Sequence, residues 1–96
     1  MPNAYWVSCY REITRPERLS AYAKLAGPAL AACGGRFIAR GVAAHAYEAG
    51  IRERTVIVEF ASLEQAVAAY ESPAYRAALA VLDGGVVRDF RIVAGV

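Results

Sequence analysis

One lysine, one histidine, two cysteines and no long apolar run mark this 96-residue chain, and each scarcity excludes a class of function. Lys24 is the only lysine, so ten of the eleven basic residues are arginine. They are scattered (Arg11, Arg15, Arg18, then Arg36, Arg40, Arg52, Arg54) rather than gathered into a stripe that could track a phosphate backbone, so no nucleic-acid partner is expected. His45 stands alone among dispersed carboxylates, which leaves no ligand set for a metal. Cys9 and Cys33 lack metal spacing and read as reduced, buried thiols of a cytoplasmic protein. Ser8 and Ser72 lack a nucleophile elbow. Gly34-Gly35 lacks the spacing of a dinucleotide loop and precedes a strand pattern, so no cofactor is expected. The apolar stretches fall far short of the roughly 20 residues that span a bilayer. Met1-Pro2-Asn3 does not open a basic region followed by an apolar core, as a secretion signal would. A soluble cytoplasmic protein without a membrane partner is the expectation.

What is abundant is apolar surface. Hydrophobic residues make up 57% of the chain, against about 45–50% in ordinary globular domains. The chain is the size of one domain, residues 1–96, and a core that small hides only part of its apolar surface. The excess favours a subunit interface. Net charge is only +2, and ten arginines suit paired, planar or partly buried contacts.

The order of elements is strand, helix, two strands, helix, strand. Thr14-Arg15-Pro16-Glu17 and Ser62-Leu63-Glu64-Gln65 both fit a capping box, and each follows a β-rich run. Ala4 to Arg11 alternates Tyr5/Val7/Cys9 with Trp6/Ser8/Tyr10, as a strand with two distinct faces does. Leu19, Tyr22, Ala23, Ala26, Leu30 and Cys33 recur at helical spacing over Arg15 to Cys33. A kink or break is expected at Gly27-Pro28, and Gly34-Gly35 closes the helix. Arg36 to Gly41 and Thr55 to Phe60 read as strands, with Val42 to Gly50 extending the first through a bulge and a turn near Gly50 to Glu53. Leu63 to Glu71 is helical, Ser72-Pro73 restarts a helix that stops at Gly84-Gly85, and Arg88 to Ala94 is the last strand. These elements predict an α+β fold: a βαββαβ domain whose four-stranded antiparallel sheet carries helices on one face.

Val7, Phe37, Val56, Val58, Phe60 and Ile92 are assigned to the helix side. The open face then collects Trp6, Ser8, Tyr10, Arg36, Ile38, Arg40, Ile57, Glu59, Arg91 and Val93. Aromatic, branched and arginine side chains mixed on one face suit the centre of a homodimer interface. A loosely amphipathic face with charged edges is the plainer alternative.

Three stretches carry a family likeness: Cys33-Gly34-Gly35-Arg36-Phe37-Ile38-Ala39-Arg40-Gly41, Val58-Glu59-Phe60-Ala61-Ser62-Leu63-Glu64-Gln65-Ala66, and Ser72-Pro73-Ala74-Tyr75. With the ending Arg88-Asp89-Phe90-Arg91-Ile92-Val93-Ala94-Gly95-Val96, the chain resembles the domain of unknown function 1330 family over nearly its whole length. The resemblance implies a ferredoxin-like domain of the dimeric α/β-barrel superfamily, two sheets facing each other across a two-fold axis. That superfamily includes small monooxygenases, cyclases, isomerases and ligand-binding domains, so fold alone selects no reaction. Two departures stand out. Relatives tend to have Trp where this chain has Ala69, and Arg near the position of Leu82. If that arginine grips an anion in relatives, this chain has lost the grip or recruits Arg76 or Arg88.

Among groups able to do chemistry, His45 is the one imidazole and could serve as acid or base, although a structural or surface histidine is the plainer account. Glu59 is expected on a central strand beside Arg36 and Arg40. It is either a salt bridge of the interface or the base of an arginine-lined pocket for a small acid. Tyr22, Tyr70 and Tyr75 sit on the covering helices, where they pack the core or line a cleft with their hydroxyls. The expected candidates are therefore His45 and Glu59 as catalytic groups, with Tyr22, Arg40, Tyr70 and Tyr75 as substrate contacts. The function they suggest is cofactor-independent proton transfer, isomerisation or cyclisation of a small acidic or cyclic metabolite. The alternatives are a non-catalytic metabolite-binding or accessory module, and a purely structural dimer.

Overall fold

The computed structural model describes residues 2–96; Met1, part of the N-terminal stretch read for a secretion signal, lies outside them. Elements follow as β1 (Ala4–Ile13), α1 (Pro16–Ala32), β2 (Arg36–Val42), β3 (Arg54–Phe60), α2 (Leu63–Glu71), α3 (Pro73–Leu82) and β4 (Val86–Ala94). The strands form one sheet in the order β2-β3-β1-β4, antiparallel at each pairing. This is the ferredoxin-like α+β architecture that the element order implied.

Local chemistry sets the helix ends. Ser62 Oγ accepts from the Gln65 amide at 3.2 Å and starts α2. Ser72 does two tasks: its hydroxyl donates to the Ala69 carbonyl at 2.8 Å, and its Oγ accepts from the Tyr75 amide at 3.3 Å. One serine thus closes α2 and opens α3, with Pro73 in the first turn where no amide is needed. The box expected at Thr14 does not form. Thr14 Oγ1 donates instead to the Gly84 carbonyl at 3.0 Å, and Arg15 holds the cap position without a side-chain bond. The amides of Thr14 and Arg15 both reach Gly85 O, so the start of α1 is tied to the turn after α3. Gln65 likewise leaves its box and donates to Cys33 O at 2.9 Å, joining α2 to the end of α1.

The break expected at Gly27-Pro28 is absent, and α1 runs continuously through it. Proline crowds the Cβ of the residue before it, and glycine has none. Gly34, at φ 81°, ends the helix as expected. The predicted extension of β2 through Val42 to Gly50 is also corrected: the chain leaves the sheet after Val42 and forms a loop over 43–53.

The core lies between sheet and helices, centred on Trp6. Its ring is 2% exposed and meets Phe60, Tyr70, Tyr75 and Phe90 at centroid distances of 4.9–5.9 Å. Its Nε1 donates to Ala66 O at 2.8 Å, which satisfies a donor that burial would otherwise strand. Such tilted and edge-on ring pairs add about 0.5–1.5 kcal/mol each beyond their buried area.

Trp6 reverses the face assigned to β1. Ala4, Trp6, Ser8 and Tyr10 point to the helices, while Tyr5, Val7 and Cys9 point to the open face. Both sets along β1 are apolar enough to be buried. The ring cluster and the Ala66 carbonyl that receive Trp6 fix the phase. A second correction concerns Arg40. Phe37 pairs with Val58, but Ala39 pairs with Ile57 and Arg40 with Val56, so Ile38 is an extra residue in a β-bulge. The bulge turns Arg40 to the helix side, where its guanidinium lies 4.5 Å from the Phe37 ring centroid. Without the bulge, residues three apart would face opposite sides of the sheet.

Candidate functional site

A cleft opens between α1 and the helix-side face of β1, β2, β3 and β4. Its walls are apolar: Trp6, Leu30, Phe37, Val56, Val58 and Phe90 line it from sheet and helix. Ala23, Ala26 and Gly27 leave the roof low in side chain, and a Cβ built on Gly27 meets no atom within 4 Å. The space between atoms, open mouth included, is ≈ 460 Å³. With side chains as they stand there is room within for only a few waters, so a larger guest requires lining side chains to move.

The polar groups are few and convergent. Arg88 Nη2 donates to Tyr75 Oη at 3.0 Å, and Nη1 approaches Tyr22, Ser8 and Tyr10 hydroxyls at 3.4, 3.4 and 3.5 Å. Tyr22 and Tyr75 share a hydrogen bond of 2.6 Å between their hydroxyls. Each partner arrives for a local reason. Ser8 and Tyr10 alternate inward on β1, Arg88 lies opposite Tyr10 on β4, and Tyr22 is on the buried stripe of α1. Tyr75 is placed by the Ser72 cap at the start of α3.

Arg88 is the group that matters most. Burial works against its charge, but the Tyr22 and Tyr75 oxygens more than offset it and hold the guanidinium firmly protonated. Burial also pushes the Tyr75 phenol up, and the neighbouring Tyr22 oxygen pushes the same way, so Tyr75 stays a neutral hydroxyl. Among the described residues Arg88 makes no ion pair, and neither do Arg40 and Arg54, which also line the cleft. The Arg88 guanidinium also lies over the Phe90, Tyr22 and Tyr10 rings, 4.9, 5.3 and 5.7 Å from their centroids. A half-buried cation held by hydroxyls and ring faces without a carboxylate is still unusual, because burying a charge is costly unless it is paired. No aspartate, glutamate or histidine among the described residues lines the cleft.

The candidates read from sequence divide accordingly. Tyr22 and Arg40 line the cleft, and Tyr75 stands behind them at the Tyr22 hydroxyl. Tyr70 is outside the lining; it packs on Trp6, Tyr75 and Phe90 and so supports the wall. Glu59 is on the open face, where Arg36 Nη2 donates to it at 2.6 Å and Tyr5 Oη at 3.2 Å. The Arg36 bond holds its carboxyl below the usual range. Arg40 does not share that face, contrary to the expected Arg36–Glu59–Arg40 grouping. His45 is exposed in the 43–53 loop and stacks on Tyr47 with centroids 6.3 Å apart. The open face also carries Asp89, bound by Arg91 at 3.0 and 3.1 Å. Sequence reasoning named Arg88 only as a substitute for a family arginine and missed Arg54, Ser8 and Tyr10 as a group. The phase of β1 was the signal that would have gathered them.

Among the described residues no three His, Cys, Asp or Glu side chains lie together as a metal site needs, and no helix is long and apolar enough to cross a membrane. Fold and cleft together define a ferredoxin-like α+β domain with a small cavity between sheet and helices. The chain belongs to the family described as Domain of unknown function (DUF1330), whose model matches residues 3–96. A protein of unknown function from Rhodopseudomonas palustris has the same fold, with TM-score 0.77 and 18% identity over 99% of this chain and 83% of that one. SnoaB, a cofactor-independent oxygenase from Streptomyces nogalater, superposes at TM-score 0.65 and 10% identity, covering 100% of this chain and 95% of that one. A dimeric ferredoxin-like protein of unknown function from Thermobifida fusca follows at 0.58 and 16%, over 98% and 92% of the two chains. No curated protein matches the sequence. At these identities the likeness is one of fold.

Proposed function

We propose that this protein is a homodimeric binder of a small organic acid, taken up in the cleft beneath α1. The observation that carries this is Arg88, a half-buried guanidinium with four hydroxyl neighbours and no carboxylate partner among the described residues, set in apolar walls. An incoming carboxylate supplies the missing counter-charge and meets a fork geometry suited to it. Apolar walls with a few convergent polar groups are what small-molecule sites have in common.

The lining favours holding and polarising an acid over abstracting a proton from it. Glu59 is committed to Arg36 on the other face, and His45 is outside the cleft lining, so neither is placed to act as its base. A cofactor-independent oxygenase shares the fold, which supports a scaffold able to do such chemistry and leaves the reaction of this chain to turnover assays. The open sheet face supports dimerisation: Tyr5, Val7, Ile57 and Val93 lie there among Arg36, Glu59 and Arg91, with Val93 50% exposed in the single chain. Such a mixed aromatic, aliphatic and arginine surface suits an interface.

The test is calorimetric titration with benzoate and hexanoate on the wild type and on Arg88→Met. Binding by the wild type and at least tenfold weaker binding by the variant is the expected result. Equal binding by the two proteins removes Arg88 from the site. Sedimentation of the wild type at twice the 10.3 kDa chain mass, and of Ile57→Asp at the chain mass, tests the dimer.

A further inference from the structure

The strand register places abreast two of the arginines that have no ion pair among the described residues. Arg88 on β4 is the partner of Tyr10 on β1. On the other flank β1 and β3 run antiparallel through Ser8–Val56 and Cys9–Thr55, so the next position out sets Arg54 beside Tyr10. Arg54, Tyr10 and Arg88 thus form one row across three neighbouring strands on the helix side. Their backbones at the two ends are roughly 10 Å apart, two strand spacings. Both guanidinium carbons approach the same aromatic ring, Arg54 at 5.9 Å and Arg88 at 5.7 Å from the Tyr10 centroid.

Arg54 repeats, independently, the anomaly of Arg88. Its Nε is shielded from solvent and has no hydrogen-bond partner among the described residues. The adjacent carboxylate, Glu53, is spent on the Arg54 backbone amide, with Oε1 at 2.9 Å. Two like charges flanking one ring, in a cleft with no acid among the described residues, repel each other. One bound carboxylate relieves one of them. Arg40 differs, since it is largely in water and covers the Phe37 ring.

We infer that the cleft is built for a dianion: a short apolar or flat body with two acid groups, one on Arg88 and its hydroxyls, the other on Arg54 nearer the loop that joins β2 to β3. This rests on the small-acid reading above and narrows it. Tyr10 between the arginines gives the body of the guest a ring face to lie against, and the apolar walls reject a longer polar skeleton.

Matched acids of equal skeleton test it: hexanoate against hexanedioate, and benzoate against terephthalate, by calorimetry at pH 7 and constant ionic strength. The expected result is that each dicarboxylate binds the wild type at least tenfold more tightly than its monocarboxylate. In Arg54→Gln that advantage falls to within about twofold of none, read as the ratio of dicarboxylate to monocarboxylate affinity in the same variant. Arg40→Gln keeps the advantage. Equal affinities for mono- and dicarboxylates in the wild type overturn the dianion assignment and leave the small-acid reading standing. No binding of any of the four acids overturns both. An advantage lost in Arg40→Gln and kept in Arg54→Gln overturns the second subsite as placed here. The wild-type comparison decides the matter even if a variant does not fold.

Discussion

Replacing Tyr75 by Phe removes one oxygen from the densest polar contact in the protein and should have an effect that changes with pH. The hydroxyl makes two good bonds, to Tyr22 at 2.6 Å and to Arg88 at 3.0 Å. A neutral hydrogen bond contributes about 0.5–1.5 kcal/mol net and one to a charged group about 1.5–3. Arg88 keeps three longer hydroxyl contacts and Tyr22 borders the cleft, so part of the loss is recovered. A destabilisation of about 2–3 kcal/mol at neutral pH follows. The Tyr75 phenol titrates above its ordinary 10.0 when folded, through burial and the Tyr22 oxygen. A raised folded pKa means that the stability is fully present below the unfolded value and is lost as pH rises beyond it. Above pH 10 the unfolded chain releases the proton and the folded chain keeps it, so wild-type stability falls by up to about 1.4 kcal/mol per pH unit from this group. A phenylalanine at that position has no proton to release and cannot contribute that slope. The difference between wild type and Tyr75→Phe in urea unfolding, at fixed protein concentration, should therefore narrow between pH 9.5 and 11. A constant difference over that range would refute the protonated, buried role given to Tyr75.

The other outcomes follow from single contacts. Ser72→Ala, losing a cap shared by two helices, should cost about 1–2 kcal/mol in chemical unfolding, whereas Thr14→Ala, which caps nothing, should cost less than about 0.5. Gly35→Ala places a Cβ 2.9 Å from the Phe60 ring, so about 1–3 kcal/mol of overpacking should appear as a lowered Tm. Trp6→Phe, by losing the Ala66 bond and ring volume at the core centre, should lower stability by about 2–4 kcal/mol. Glu59→Gln and His45→Ala should bind benzoate as the wild type does, because neither residue lines the cleft. Glu59→Gln should also flatten the loss of stability on acidification, since the Arg36-held carboxylate stabilises above the ordinary carboxylate pKa and loses that effect as pH falls through its lowered folded value.

The architecture was legible because its signals are local. Ser62, Ser72, Pro73 and Gly34 each set a boundary through their own backbone chemistry, and the structure uses them where the sequence places them. The cleft was half legible. Tyr22 and Tyr75 come from helical spacing and residue type, and Arg40 was expected on the open face beside Glu59; the company they keep depends on the phase of β1 and on one inserted residue in β2. Alternation along Ala4–Tyr10 supplies two apolar sets of similar weight, and only packing against α2 and α3 chooses between them. A bulge changes the face of every later residue in its strand, and Ile38 has no composition that announces it. Thr14 satisfied its local pattern, yet the turn at Gly84-Gly85 offered better partners from 70 residues away.

The bulge at Ile38 also has a bearing on solubility. β2 is an edge of the sheet, with one row of backbone groups unpaired in the single chain. Long flat edges recruit other strands and seed aggregates, and proteins blunt them with irregular backbone and charge. Ile38 interrupts the regular spacing that an intruding strand would need, and Arg36 and Arg40 bracket it with like charge. Deleting Ile38 would remove the bulge and straighten β2 with Arg40 still on the helix side, and leave a smooth edge ready to stack. The bulge that keeps Arg40 on the helix side thereby makes the rim of a 57% hydrophobic chain a poorer template for an incoming strand.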